Sequence, residues 1–283
     1  MRLWPLVVLV MAAPLHPALT RLAVVTGGNK GVGFHTARQL KVSGLRVILA
    51  CRSVELASKA AAELGCEFEI LDDLGSADSI EAFARQMETK YQQLDVLVNN
   101  AAIAFKAADP TPFEQQTIPT LGVNFFATTR LTDRLLPLLR ASAAAGRQPK
   151  VVNVASLAGK LRQLCPELQA QFADPALDRG RLVSLVQSFV AAVQSGRHRE
   201  MGFSNSNYGM SKLALIAYTR LLAREEAGNG LVVNACCPGY CRTDMSSNRG
   251  GQEPSVGART VALCAVAPNV TGGFFEHERL SEW

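Results

Sequence analysis

The sequence predicts an α/β fold in which helices cover both faces of a doubly wound parallel sheet within a single domain. Short apolar segments rich in β-branched residues alternate along the chain with longer segments of helical periodicity. This order of strand, helix and strand is typical of parallel sheets with helical crossovers. The 283 residues, 48% of them hydrophobic, are enough for one large core, and no linker, repeat or low-complexity segment divides them.

Six segments have the length and composition of buried strands. They lie at residues 22–26, 46–50, 68–71, 95–99, 151–155 and 231–237. Helical periodicity follows the first strand at 34–44 and the third at 77–93, where Ile80, Phe83, Ala84 and Met87 fall on one face. Ligands of such sheets bind at the carboxyl ends of the strands, so we expect the functional site there.

Residues 1–20 form a hydrophobic extension before the first strand. One arginine followed by an apolar run resembles the start of a secretory signal, although no small-x-small cleavage site follows. Prolines at positions 5, 14 and 17 disfavour a continuous spanning helix. We interpret the segment as a disordered or surface-packed extension, with a targeting signal and a membrane anchor as the alternatives.

Charge and cysteine content exclude several classes of function. The net charge of +5 is spread along the chain without arginine-rich patches, so no nucleic-acid partner is expected. Seven cysteines form no CxxC pair and no metal-ligand spacing, so no metal site is expected. An odd number of thiols predicts a cytoplasmic protein, with the secretory pathway or an organelle as the alternative. Glycosylation at the sequon 269–271 would indicate secretion.

A glycine-rich turn, TGGNKGVG at 26–33, follows the first strand. Gly27, Gly31 and Gly33 have the spacing GxxxGxG, which departs from the GxGxxG dinucleotide fingerprint. The glycines still allow a tight turn and the close approach of a pyrophosphate to the amides of the next helix. Alternatively, the segment is a plain turn between strand and helix.

Tyr208 and Lys212 are four residues apart. In a helix this step places both side chains on one face, where the ammonium would lower the phenol pKa from about 10 and ease proton transfer. The pair alone is weak support for an acid–base device, because a lysine occurs at this offset by chance in about one such chain in nine.

These motifs, taken in order, resemble those of the short-chain dehydrogenase/reductases. The matching segments are TGGNKGVG at 26–33, NNAA at 99–102, VNFFAT at 123–128, VVNVAS at 151–156, Tyr208 with Lys212, and CCPGYCRTDM at 236–245. GGNKGVG, NNAAIAF, CPELQ, NACCPGY and Trp283 are most similar to the carbonyl reductases of this family. The resemblance implies a Rossmann-like domain at 21–283 with a helical insert at 160–203.

The resemblance also implies a catalytic role for four residues. Tyr208 would donate a proton to the substrate oxygen while Ser156 holds that oxygen by a hydrogen bond. Lys212 would lower the Tyr208 pKa and bind the nicotinamide ribose, and Asn124 would hold a water that links the lysine to solvent. Taken singly, Ser156 is better explained as a turn former at the strand end and Asn124 as a helix cap.

The cofactor implied by the resemblance is NADPH. The second strand ends in Cys51 and Arg52 without an acid, so Arg52 and Lys30 would bind the ribose 2′-phosphate, unless both are simply solvated surface residues. Asp73 would lie on the adenine side of the cofactor pocket, too far away to bind the ribose. The full set of expected cofactor contacts is Gly27, Asn29, Lys30, Gly31, Val32, Gly33, Arg52, Asp73, Leu74, Asn100, Tyr208, Lys212, Pro238, Gly239 and Thr243.

The implied activity is NADPH-dependent reduction of a small carbonyl substrate: a ketone, an aldehyde or a quinone. Oxidation of steroid or retinoid alcohols, with membrane association through residues 1–20, is one alternative, and non-catalytic NADPH binding is another. Two positions depart from the family pattern. Ala102 replaces the usual glycine of the family. Tyr240 replaces the tryptophan of the similar reductases, and the resemblance implies that it adds a hydroxyl to the substrate side of the cleft.

Two further features concern the thiols and the insert. Cys236, Cys237 and Cys241 cluster after the last predicted strand, either as small packing residues or as reactive thiols of lowered pKa. Within the insert, one helical face must become buried. It consists of Leu182, Leu185, Val186, Phe189, Val190 and Val193. The resemblance implies that the insert covers the helix surface used elsewhere for oligomerisation, which predicts a monomer.

Overall fold

The computed structural model of the protein describes residues 20–106, 108–267 and 270–283. Residues 1–19 of the hydrophobic extension and Asn269 of the sequon therefore lie outside the described residues. The described strands are β1 Leu22–Thr26, β2 Arg46–Cys51, β3 Glu67–Ile70, β4 Val96–Asn99, β5 Lys150–Val154, β6 Val232–Cys237, β7 Phe274–Glu276 and β8 Arg279–Ser281. The described α-helices are α1 Gly31–Val42, α2 Val54–Leu64, α3 Ala77–Lys90, α4 Phe113–Leu121, α5 Thr128–Ala144, α6 Pro166–Ala173, α7 Arg179–Gln194, α8 Asn207–Glu225 and α9 Pro254–Val266.

The eight strands form one sheet in the order β3-β2-β1-β4-β5-β6-β7-β8. Strands β1 to β7 are parallel, and β8 runs antiparallel to β7. The strand order reverses between β1 and β4, because β2 flanks one side of β1 and β4 flanks the other. A crevice opens at the carboxyl ends of strands at such a reversal, so the topology places the functional site beside β1 and β4.

The predicted doubly wound sheet is confirmed. Five of the six predicted strands have bounds that differ from the observed ones by one residue. The antiparallel pair β7 and β8 was not predicted. Each strand has three residues, FFE and RLS, which is too short to show an alternating pattern.

Buried side chains cover both faces of the sheet. Helices α3, α5, α7 and α8 contribute to the core cluster on one face, and α1, α2 and α9 contribute to that on the other. The central strands β1, β4, β5 and β6 are buried along their whole length. This burial explains why the sequences of these strands are continuously apolar and do not alternate between apolar and polar residues.

The segment between Ser156 and Tyr208 is helical, as predicted, and contains α6 and α7. Four residues of the predicted apolar face of α7 are buried, and Leu185 and Val190 pack against the same core cluster. Arg179, the first residue of α7, binds two carboxylates, with 2.8 Å from Nη1 to Asp133 and 2.7 Å from Nη2 to Glu225. These ion pairs join α7 to α5 and α8.

Every helix within the described ranges is too short or too polar to cross a membrane.

Candidate active site

The glycine turn after β1 has the backbone that its sequence predicts. Gly27 and Gly31 have φ of +62° and +56°, a region that favours glycine. A Cβ on Gly33 would lie 2.5 Å from the carbonyl oxygen of Gly27, so the helix start leaves no room for a side chain. The Asn100 side chain fixes the turn by donating to the carbonyl of Thr26 at 2.8 Å.

A cleft of about 430 Å³ lies between this turn, the end of β5 and the start of α8. Most of the predicted cofactor contacts line it. These are Gly27, Asn29, Lys30, Gly31, Val32, Gly33, Asn100, Tyr208, Lys212, Pro238 and Thr243. Residues as far apart in the sequence as Gly27 and Thr243 thus meet at one edge of the sheet.

Four of the expected cofactor contacts do not line this cleft: Arg52, Asp73, Leu74 and Gly239. Arg52 is exposed and follows Cys51, whose thiol interacts with the backbone amides of the glycine turn. Asp73 accepts a hydrogen bond from the Gly75 amide at 2.8 Å, and Leu74 packs against the core. These contacts hold the segment just before α3, and the roles of Asp73 and Leu74 in cofactor binding stay predictions.

Several residues that line the cleft have no role predicted from the sequence. They are His35, Ala101, Val154, Ala155, Arg242, Asp244, Met245, Asn248 and Pro254. Asp244 is the most informative of them, because its carboxylate lies 2.7 Å from Lys30 Nζ. The hydrogen bond from Lys30 holds the pKa of Asp244 below its usual range. The motif CCPGYCRTDM contains Asp244, but nothing in its spacing indicates a partner 214 residues away.

Tyr208 and Lys212 lie in the first turns of α8, which begins with a side-chain cap. Ser206 accepts a hydrogen bond from the Gly209 amide at 2.9 Å, which fixes where the helix starts. Lys212 Nζ lies 5.5 Å from the centroid of the Tyr208 ring and donates to the Val154 carbonyl at 2.8 Å. The side chains of Tyr208 and Lys212 are therefore close together, as their spacing predicts.

The pKa values of this pair differ from the sequence-based expectation. Burial lowers the pKa of Lys212 to about 8 and raises that of Tyr208 to about 12. The neighbouring Ser156 hydroxyl offsets part of the rise at Tyr208. Desolvation is thus the largest influence on Tyr208, and the net shift of its pKa is opposite to the lowering that the spacing predicts.

Ser156 follows β5 and combines the two interpretations that its sequence allows. Its Oγ accepts a hydrogen bond from the Ala158 amide at 3.1 Å and so caps a short 3₁₀ turn, Leu157–Gly159. The same hydroxyl lies close enough to Tyr208 to affect its pKa. The turn therefore presents a hydroxyl beside the phenol.

Asn124 is buried in a π-helical segment, Gly122–Ala127, between α4 and α5. Its side-chain amide exchanges two hydrogen bonds with the backbone of Ile103, at 2.8 and 2.9 Å. It also donates to the Ser211 hydroxyl at 3.1 Å. The side chain therefore joins the loop after β4 to α8, and its predicted role in holding a water beside the lysine stays a prediction.

The three clustered thiols have the character of packing residues. Cys236, Cys237 and Cys241 are buried, and burial contributes to raising the pKa of each. At Cys236 the largest contribution to the rise is a hydrogen bond with the Cys264 thiol. A raised pKa disfavours the thiolate, the form that reacts with electrophiles.

The residues of the cleft fit an anionic dinucleotide. Helix α1 begins at Gly31, and among the described residues no side chain caps its first amides. Uncapped amides at a helix N-terminus are suited to a pyrophosphate, and glycines at the turn allow it to approach. Lys212, with 3% of its surface exposed, adds a positive charge at the far end of the cleft.

Comparison with known proteins gives matches over most of the chain. A family model described as short chain dehydrogenase matches residues 21–165 and 185–254. The unmatched residues between these ranges fall in the insert. Carbonyl reductase (NADPH) 1 of Sus scrofa is 38% identical over 93% of this chain and 94% of its own length. Carbonyl reductase (NADPH) 3 of Rattus norvegicus is 39% identical over 88% and 92%.

A solved structure is also similar. Salutaridine reductase from Papaver somniferum superposes with a TM-score of 0.81 at 27% sequence identity. The match covers 90% of this chain and 99% of that one.

Proposed function

The chain belongs to the short chain dehydrogenase family, and on this premise we propose that it reduces carbonyl compounds to alcohols with NADPH. It is an oxidoreductase, and both mammalian relatives are NADPH-dependent by name. The glycine turn, the uncapped start of α1 and Lys212 are the residues that would hold it. When bound, the reduced nicotinamide supplies the hydride.

One observation carries the proposal: a phenol, a hydroxyl and a buried ammonium meet beside a cleft that fits a dinucleotide. Tyr208 and Ser156 are adjacent, and Lys212 Nζ lies 5.5 Å from the phenol ring. An acid next to a hydrogen-bond donor is what a carbonyl oxygen needs as it becomes an alkoxide. Non-catalytic NADPH binding would not require this arrangement.

Each side chain has a role that follows from its environment. A Tyr208 pKa of about 12 keeps the phenol protonated at neutral pH, so that the proton is available to the substrate oxygen. Ser156 donates a hydrogen bond to that oxygen and positions it. The Lys212 charge stabilises the tyrosinate that remains after proton transfer, which compensates for the cost of burial.

The substrate side of the cleft favours apolar carbonyl compounds. Met245, which lines the cleft, is 41% exposed, and Tyr240, two residues after the cleft residue Pro238, is 62% exposed. An exposed apolar side chain in the lining of a cleft suits an apolar ligand. We therefore propose ketones, aldehydes and quinones as substrates.

A substrate panel tests the function. Purified protein is mixed with NADPH and, in turn, an aromatic ketone, an aldehyde and a quinone, and loss of reduced cofactor is followed by absorbance. We expect turnover with at least one of them. The reverse assay uses NADP⁺ with steroid alcohols and retinol, and turnover confined to that assay would favour the alcohol dehydrogenase alternative. NADPH binding without turnover in either direction would contradict an enzymatic function.

We further propose a cytoplasmic location for the enzyme, since all seven cysteines are free thiols. Such a set suits a reducing compartment.

A further inference from the structure

The hairpin of β7 and β8 is followed by Trp283, whose indole reaches the catalytic segment. Its Nε1–H donates a hydrogen bond to the Gly159 carbonyl at 2.8 Å. Gly159 is the last residue of the 3₁₀ turn that Ser156 caps. A residue 127 positions from Ser156 thus contacts the turn that presents the serine hydroxyl.

The turn is confined on its other side by the helix that carries Tyr208 and Lys212. A Cβ on Gly159 would lie 2.7 Å from the Lys212 carbonyl carbon and 2.8 Å from the Leu213 nitrogen. The turn therefore lies directly on the backbone of α8. The indole of Trp283 and the backbone of Lys212 hold it between them.

Trp283 is itself held in place. The Arg220 guanidinium lies 5.4 Å from the indole centroid, and the ring packs against the small cluster that includes Ile216 and Phe274. A second contact with the hairpin lies at the next residue, Lys160. Its Nζ donates to Glu276 Oε1 and Ser281 Oγ, each at 3.2 Å. The hairpin and Trp283 thus bind the Ser156 segment at two consecutive residues.

We propose that Trp283 is a positioning residue that acts through Ser156. This inference rests on the proposed function, in which Ser156 donates to the substrate oxygen. The indole N–H satisfies the Gly159 carbonyl and so fixes the turn, and the turn fixes Ser156 because its Oγ accepts from Ala158. Without the indole N–H, the Gly159 carbonyl must find another donor, and the turn rotates with it.

The first test removes only the indole donor. Trp283→Phe keeps an aromatic ring against Ile216 but deletes the N–H. We expect kcat to fall about tenfold while the KM for NADPH changes less than about twofold, since the cofactor contacts are elsewhere. Lys160→Met removes the second contact with the hairpin and should lower kcat in the same direction. Arg279→Ala, an exposed residue of β8, is the matched control and should behave as wild type.

A double-mutant cycle with Ser156→Ala separates positioning from general stability. If Trp283 acts through the serine, Trp283→Phe has no further effect on kcat once Ser156 is alanine. Equal losses in both backgrounds would overturn the inference while leaving the proposed function intact. Wild-type turnover by Ser156→Ala alone would instead remove the serine from the proposed mechanism, and the inference with it.

Discussion

The Nζ atom of Lys30 lies 2.7 Å from a carboxylate oxygen of Asp244, so an ion pair joins the glycine turn to the segment after β6. Both side chains are about two-thirds exposed, at 64% and 66%. An exposed pair of this kind contributes little to stability. Lys30 can therefore exchange the carboxylate for a phosphate at small cost, whereas Arg52 has no hydrogen bond or ion pair to give up among the described residues.

This difference predicts that Arg52 contributes more than Lys30 to recognition of the 2′-phosphate. We expect wild-type enzyme to prefer NADPH over NADH by at least about tenfold in kcat/KM, with Arg52→Asp narrowing or inverting the ratio. Arg52→Ala should reduce the preference more than Lys30→Ala, because Lys30 is partly neutralised by Asp244. Initial rates with each cofactor at one saturating substrate concentration give the ratios.

A charge reversal elsewhere controls for net charge. Arg85 is exposed on α3 and does not line the cleft, so Arg85→Asp should leave the cofactor ratio unchanged. A wild-type ratio near one, or a ratio unmoved when Arg52 and Lys30 are both replaced, would show that these charges do not recognise the phosphate.

A second prediction concerns the pH dependence of NADPH binding. Burial lowers the Lys212 pKa to about 8, so the ammonium is charged at pH 7 and loses its proton as the pH rises above 8. An anionic cofactor raises this pKa, and binding then takes up a proton in that interval. The Kd for NADPH should be constant below about pH 7.5 and rise several-fold by about pH 9.5.

Fluorescence titration of wild type and two lysine variants tests whether the Kd for NADPH rises with pH. Lys212→Met should bind NADPH more weakly and without the rise in Kd. Lys150 is also buried with a lowered pKa but does not line the cleft, so Lys150→Met should keep the wild-type profile. The same rise in Lys212→Met would assign the titration to another group.

A third prediction concerns assembly. Helix α7 packs its apolar face on the core, and Arg179 binds Asp133 of α5 and Glu225 of α8, so the insert covers surface of both helices. We expect a monomer, with a sedimentation mass near 30.4 kDa at micromolar concentration. A mass near a multiple of that value would contradict the prediction.

The central strands and the Tyr208–Lys212 pair were predictable because each rests on local periodicity. A strand buried on both faces is apolar throughout, and a helical step of four residues fixes which side chains are neighbours. The glycine turn was predictable for a similar reason, since positive φ at Gly27 and Gly31 restricts the residue type.

The remaining features depend on contacts between distant residues. Asp244 and Trp283 find their partners only after folding, and neither sequence segment indicates them. The direction of the Tyr208 pKa shift depends on how far the fold removes the phenol from solvent. The spacing of Tyr208 and Lys212 in the sequence gives no information on this burial. The contacts of the Asn124 amide with Ile103 and Ser211 likewise join segments that are far apart in the sequence.

The proton-donor role of Tyr208 is the central claim, and comparison of two tyrosine variants of α8 tests it most directly. Tyr218 is buried on the same helix, does not line the cleft and donates to Asp133 at 3.1 Å, so Tyr218→Phe removes an equivalent hydroxyl away from the site. Turnover per folded molecule is measured with saturating NADPH and the best substrate of the panel, alongside the Kd for NADPH. The account predicts that Tyr208→Phe lowers kcat by at least about a hundredfold with the Kd nearly unchanged, while Tyr218→Phe keeps wild-type kcat. If Tyr208→Phe retains more than about a tenth of wild-type turnover, Tyr208 is not the proton donor.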